Sequence, residues 1–346
     1  MFSCVQPSIK VTKKIKKNKK ALLQRLDEYV KNLPKLAKLP LKYQIKPPQV
    51  KNFKLEAIGQ EARIIFYSKS FSQGELCQFV IPSFAIKNIQ IFGYLSNSYY
   101  KLKLSKFKFG YTGFYPISTS HKKLANFIVK YAGNAGESSY VQKINFKINK
   151  VKWPVYRSAL LVKKYSNIYS ARDPQVKKRI AAGYKLKRSA FRHKGKMLLD
   201  NKRSHPRNEH YITSPFWVQR YYKRYRKIGR YKQWLKPQRS THHGLDLKGY
   251  TGQPVFAIAR GQVVLSEKLF YEGNIMMIDH GLGLISGYMH MSKRFAKTGD
   301  IIKAGDIAGL TGATGMVTGA HLHIFLYFMG YHLQPLSLIS LPLFNR

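Results

Sequence analysis

The apolar positions change rhythm along the 346-residue chain. Within residues 1–50 they recur once at helical spacing. Leu22, Leu23, Leu26, Tyr29, Val30 and Leu33 fall at i, i+3, i+4 and i+7, which predicts one amphipathic helix in a basic lead, ended by Pro34, Pro40, Pro47 and Pro48. Over 51–152 come short β-rich runs, among them ARIIFYS, CQFVIPSFAI, NIQIFGYL, LANFIVKYA and VQKINFKI, divided by Gly, Ser, Asn and Pro. Branched and aromatic runs between turn formers predict strands, and their spacing suits a small β-sandwich. From 153 to 206 strand rhythm gives way to a basic, helix-prone connector. Its helix is expected to start at Asp173-Pro174, because Asp caps a helix and Pro fits its first position. Strand-and-turn composition with frequent glycines returns over 207–346, so the chain reads as mostly β, with a second all-β domain after the connector.

Composition changes this picture in one respect. A hydrophobic content of 44% with 14% aromatics is ample for packed cores, which excludes a disordered chain. The charge is lopsided: 62 Lys and Arg against 15 Asp and Glu give a formal +47, of which +36 falls within residues 1–206. Such a surface attracts anionic envelope polymers, a membrane surface or nucleic acid, while solvated lysine faces need no ligand at all. No nucleic-acid recognition motif accompanies the charge, which ranks that partner last.

Cys4 and Cys77 lack partners at metal-ligand spacing, so neither a disulfide framework nor a thiolate metal site is expected. The opening MFSCVQPSIKVTKKIKKNKK has basic residues without an apolar run behind them, so no ordinary secretory signal is expected. The most apolar stretch, Ile324 to Phe344, is broken by Gly330, His332, Gln334, Pro335 and Pro342, which argues against a transmembrane helix.

The chemistry is concentrated in histidines near the C-terminus. In Thr241-His242-His243-Gly244-Leu245-Asp246, strand alternation would put His242, Gly244 and Asp246 on one face, with the bare Gly244 leaving room for an ion between imidazole and carboxylate. In Gly319-Ala320-His321-Leu322-His323-Ile324, the same alternation puts His321 and His323 together. Hydrolytic zinc takes three His, Asp or Glu ligands and keeps its fourth position for water. His242, Asp246 and one member of the His321/His323 pair would supply three such ligands. His290, in Gly287-Tyr288-Met289-His290-Met291, could serve as a base or transition-state donor beside them. An isolated H-x-H or H-x-x-x-D would carry little weight, and His121, His193, His205, His210, His243, His280 and His332 are read as surface or core histidines.

Three stretches in order carry a resemblance. HHGLDLKGYTGQPVFAIARGQVV, IMMIDHGLGLISGYMHMS and GDIIKAGDIAGLTGATGMVTGAHLHI resemble the first metal motif, the central strand pair and the final H-x-H strand of lysostaphin-type (LytM-like) zinc metallopeptidases. The resemblance spans roughly Thr213 to Ile339, and ITSPF at 212–216 is similar to the subgroup with a preceding β-sandwich.

The resemblance implies a C-terminal antiparallel β-sheet peptidase domain with one zinc ion on His242, Asp246 and His323, and with His290 and His321 as the non-ligand catalytic pair. It further implies hydrolysis of peptide bonds in peptidoglycan stem peptides or cross-bridges by a metal-activated water, in the cell envelope or periplasm. The alternative is a zinc-containing but weakly active wall-binding regulator of other murein hydrolases. Three positions depart from the family pattern: Ala320 in place of a Pro, Trp217 in place of a Gly, and IFLYFMG in place of a more polar run. None removes a ligand or catalytic residue; Trp217 is expected to narrow the groove, and Ala320 to loosen the turn that aims His321.

Overall fold

The computed structural model describes residues 47–57, 60–82, 87–107, 110–132, 139–161 and 173–342, so the helix expected at 22–33 lies outside the described residues. The β-rich runs form two sheets. One orders the strands Gln49–Ala57, Gln60–Ser68, Leu76–Ile81, Gly110–Pro116 and Ser105–Phe107; the other orders Ser98–Leu102, Lys87–Leu95, Leu124–Ala132 and Ser139–Lys147. Burial alternates along Leu124–Ala132, where Ala125, Phe127, Val129 and Tyr131 are buried, and the inner faces of the two sheets share one core. Phe66 of the first sheet lies 4.7 Å ring to ring from Phe127 of the second, and Tyr115 lies 4.7 Å from the same ring. This is a sandwich, each buried aromatic or aliphatic side chain contributing about 1.5–3 kcal/mol.

The connector differs from expectation. Val155–Leu161 is a strand, paired in parallel with Gln219–Ile228. Its side chains from Val155 to Ala159 are exposed, so no alternation between core and solvent marks the sequence. The helix Pro174–Arg192 follows, with Asp173 Oδ1 accepting from Gln175 N–H at 2.8 Å and Pro174 in its first turn. Beyond it Met197 and Leu199 join the C-terminal core, and Leu198 N–H donates to the His280 carbonyl at 2.9 Å. The packed C-terminal unit therefore begins ahead of residue 207.

That unit is built on an antiparallel sheet ordered Ile212–Ser214, Leu245–Lys248, His321–Phe328, Ile285–Met291, Gly273–Asp279, Gly261–Leu269 and Ile301–Ile302, with Tyr331–Leu333 pairing alongside His321–Phe328. Alternation along His321–Phe328 decides where the site can be. Leu322, Ile324 and Leu326 enter the main core, while Phe325 packs in a second cluster with Leu265, Leu269 and Met277 beneath the helix. Phe191 of the helix covers Tyr327 at 4.2 Å and Phe325 at 5.9 Å ring to ring. The helix thus covers the 325–327 half of this face and leaves His321 and His323 uncovered by it. The sandwich abuts the unit where Gln334 N–H donates to the Gly74 carbonyl at 2.7 Å and Leu76 N–H to Ser337 Oγ at 3.1 Å.

Candidate metal centre

Sheet register brings the two separated motifs to one point. Asp246 pairs directly with His323 across adjacent strands, and its Oδ1 lies 2.8 Å from His323 Nδ1. His242 Nε2 lies 3.0 Å from Asp246 Oδ1 and 3.0 Å from His323 Nδ1. These donor atoms all lie within 4.8 Å of one another.

The expectation of one continuous strand face through His242, Gly244 and Asp246 needs correcting. Strand pairing stops at Thr241 and resumes at Leu245. His242 is held instead by its N–H on the Val218 carbonyl at 3.0 Å and by its carbonyl, which accepts from Trp217 N–H at 2.8 Å. The space at Gly244 is also occupied. A Cβ there would meet His323 Nε2 at 2.3 Å and the Ile324 carbonyl oxygen at 2.6 Å, so the missing side chain admits an imidazole rather than an ion.

His290 departs from the simple strand expectation as well. Its φ is +62°, at the end of a stretch where the pairing of Ile285–Met291 with Gly273–Asp279 shifts register. A non-glycine residue in that region costs on the order of 1–3 kcal/mol and persists only where its surroundings hold it. Here its N–H donates to the Glu272 carbonyl at 2.9 Å and its Nδ1–H to the Thr314 carbonyl at 3.0 Å. The bend aims the ring at the cluster, 5.0 Å from His321 and 5.9 Å from His323 between centroids. His321 donates from Nδ1 to the Gly319 carbonyl at 2.9 Å, and its Nε2 lies 3.7 Å from Asp246 Oδ1. All five residues singled out in the sequence, His242, Asp246, His290, His321 and His323, therefore meet in one place.

The electrostatics follow from this crowding. Burial alone would raise the Asp246 carboxyl; hydrogen bonds and positive charge from His242 and His323 overcome it and hold the group well below the usual carboxylate range. His290 is pushed down to about 3, first by burial and then by His323 and His321. His323 is pushed down by burial against the opposing pull of Asp246. Burial thus works against protonation of His290 and His323.

The donor set fits a divalent metal of the zinc type. His242 Nδ1 lies 2.9 Å from the Pro215 carbonyl, which makes it the donor and leaves Nε2 as the lone pair facing Asp246 and His323. Two imidazole nitrogens and a carboxylate oxygen form the ligand set found in hydrolytic zinc sites.

Several contributors carried no motif. The carbonyls of Pro215, Gly319 and Thr314 orient His242, His321 and His290, and backbone acceptors have no side-chain signature. Arg220 is the missed side chain: its Nη2 lies 3.5 Å from Asp246 Oδ2 and 2.7 Å from Ser214 Oγ. The alternating basic run around it was the available signal. Trp217, expected to narrow the groove, has φ +61° and stacks on His243 at 5.0 Å; its ring makes no contact with His290 or His321 among the described residues. Ala320 leaves His321 anchored, since its N–H donates to the Gly312 carbonyl at 3.2 Å. His280 is a core histidine, bonded to the Arg260 carbonyl and to Ser286 Oγ.

A β-sheet that gathers two imidazoles and a carboxylate, flanked by two further imidazoles, has the layout of a mononuclear metallohydrolase. Residues 240–335 match Peptidase family M23, and the chain carries a domain of that metallopeptidase family. The peptidoglycan DD-endopeptidase ShyC of Vibrio cholerae serotype O1 is 36% identical over 105 residues, covering 30% of this chain and 24% of ShyC. ShyA of the same organism, also a peptidoglycan DD-endopeptidase, is 39% identical over 89 residues, 26% of this chain and 21% of ShyA. The chain thus spans a quarter or less of these curated relatives. A crystal structure from Pseudomonas aeruginosa described as a peptidase M23 superposes with a TM-score of 0.51 at 20% identity, over 78% of this chain and 94% of that one. That likeness concerns the fold, and its extent exceeds the peptidase domain alone.

Proposed function

We propose that this protein is a zinc-dependent endopeptidase of the cell envelope or periplasm that hydrolyses peptide bonds in peptidoglycan stem peptides or cross-bridges. The observation that carries the reading is the convergence of His290 and His321 on the His242–Asp246–His323 cluster. The activities named for ShyA and ShyC support the choice of substrate.

In this reading His242 Nε2, Asp246 Oδ1 and His323 Nδ1 hold the metal. Zinc, when bound, polarises a carbonyl and makes water nucleophilic near neutral pH. His290 and His321, each tied at Nδ1 to a backbone carbonyl, present Nε2 to the reacting groups. The pair takes up the proton of the attacking water at Nε2, the imidazolium so formed stabilises the oxyanion, and the proton then passes to the leaving amine. The regulatory alternative, zinc-containing but weakly active, has no comparable observation behind it, and the five groups that turnover would need lie together.

Incubation of the zinc-loaded protein with purified sacculi, with released fragments identified by mass spectrometry beside His290→Ala, tests the proposal. New stem-peptide ends absent from the variant are expected. Intact sacculi in the presence of stoichiometric zinc would overturn it.

A further inference from the structure

The segment between Gln219 and Thr241 holds nine Lys and Arg residues and no Asp or Glu. It folds into a sheet in which Gln219–Ile228 is flanked by Val155–Leu161 on one side and by Tyr231–Trp234 and Gln238–Thr241 on the other. No register shift interrupts these pairings, so strict alternation sorts its side chains onto two faces.

The two faces differ in chemistry. One carries Tyr221, Lys223, Tyr225 and Lys227, and cations of the neighbouring strands lie over its rings: Arg157 and Arg239 lie 5.4 and 5.0 Å from the Tyr221 centroid, and Lys232 lies 5.0 Å from that of Tyr225. The other carries Arg220, Tyr222, Arg224 and Arg226, where every cation is a guanidinium. This second face is the one continuous with the metal centre, because Arg220 reaches Asp246 Oδ2 and Ser214 Oγ. Arg226 is braced by Gln233 Oε1 at 2.5 Å, and the Arg224 guanidinium has no hydrogen-bond or ion-pair partner among the described residues.

We infer that Arg224 and Arg226, with Tyr222 between Arg220 and Arg224, form a docking track for a carboxylate-bearing polymer, the stem-peptide-decorated wall strand whose bond is cut at the metal centre. The inference rests on the endopeptidase reading for its occupant. At about 3.4 Å per residue the track runs about 20 Å outward from Arg220, several residues of an extended peptide. Guanidinium forks match carboxylates with two parallel hydrogen bonds, which a lysine ammonium cannot do. A neutral or cationic strand would gain nothing from this face. Phosphate polymers share the charge, yet nothing would place a nucleic acid at the mouth of a peptide-bond site.

The test is co-sedimentation of the full chain, made inactive by His290→Ala, with purified sacculi across a salt series. Adding Arg224→Glu and Arg226→Glu is expected to weaken binding at least tenfold and to flatten the salt dependence, whereas Arg224→Lys with Arg226→Lys loses a smaller part of the affinity and keeps the salt dependence. Unchanged affinity in the glutamate variant overturns the track. Full affinity in the lysine variant also overturns it, since the guanidinium fork would then not be what matters. Tighter binding to single-stranded DNA than to sacculi at the same salt overturns the choice of occupant. Sacculi that the parent chain binds through these arginines but does not cut would uphold the track and bring down the endopeptidase reading alone.

Discussion

Nη2 of Arg220 lies 3.5 Å from Oδ2 of Asp246, on the carboxylate oxygen that the histidines leave untouched. The two imidazoles engage Oδ1, so the guanidinium can hold the carboxylate's orientation without competing for the ligand atom. Groups that brace a metal ligand in this way are worth on the order of tenfold or more in metal affinity. Arg220→Gln is therefore expected to lower zinc affinity by about tenfold, read by competition against a chelator of known strength. An unchanged affinity would show that this contact does not position Asp246.

In the proposed function the five site residues divide into holders of the metal and movers of protons. His323→Ala and Asp246→Ala are expected to abolish stoichiometric zinc, while His290→Ala keeps zinc and loses turnover by on the order of 10²–10⁴, the range of general acid–base catalysis. Metal content by mass spectrometry, measured alongside cleavage of sacculi, separates the groups. Normal zinc in either of the first two variants would refute the ligand assignment.

Gly244 tests the packing that brings His323 into the cluster. A Cβ there would lie 2.3 Å from His323 Nε2 and 2.6 Å from the Ile324 carbonyl, and the second neighbour is backbone that cannot swing aside. Gly244→Ala is expected to destabilise the metal-free protein by about 1–3 kcal/mol and to weaken zinc binding. Denaturant unfolding with and without zinc reads both effects, and a variant of wild-type stability would contradict the close approach.

His332 predicts a pH dependence of stability away from the metal. Its imidazole stacks on His243 at 4.9 Å among Phe191, Phe325 and Tyr327, and its Nδ1 is buried without a partner. Burial, with added charge from His243, His323 and Lys187, pushes it from 6.5 down to about 3. The unfolded chain therefore binds a proton at His332 that the folded chain refuses. Stability at neutral pH is lost as pH falls from 6.5 toward 3, at up to about 1.4 kcal/mol per pH unit for this group. His332→Phe is expected to remove that share of the slope in unfolding curves taken between pH 7 and 4. An identical slope in the variant would mean that the folded protein protonates His332 freely.

What the sequence by itself determined is what local pattern carries. Period-two alternation set the sandwich runs and put Leu322 and Ile324 opposite His321 and His323, and the Asp173-Pro174 pair marked the start of a helix. The histidine clusters were legible because each ligand type sits in a short, glycine-bounded motif. Tertiary structure alone decided the rest. Asp246 meets His323 through strand pairing between residues 77 apart, a register that no local window contains. The strand Val155–Leu161 was hidden because its side chains from Val155 to Ala159 are exposed and leave no apolar rhythm. The left-handed turn at His290 depends on carbonyls contributed by Glu272 and Thr314, and backbone acceptors look alike in every sequence. Arg220 stood out only when the sheet turned one face of a basic strand toward Asp246, since charge in a sequence has sign but no direction.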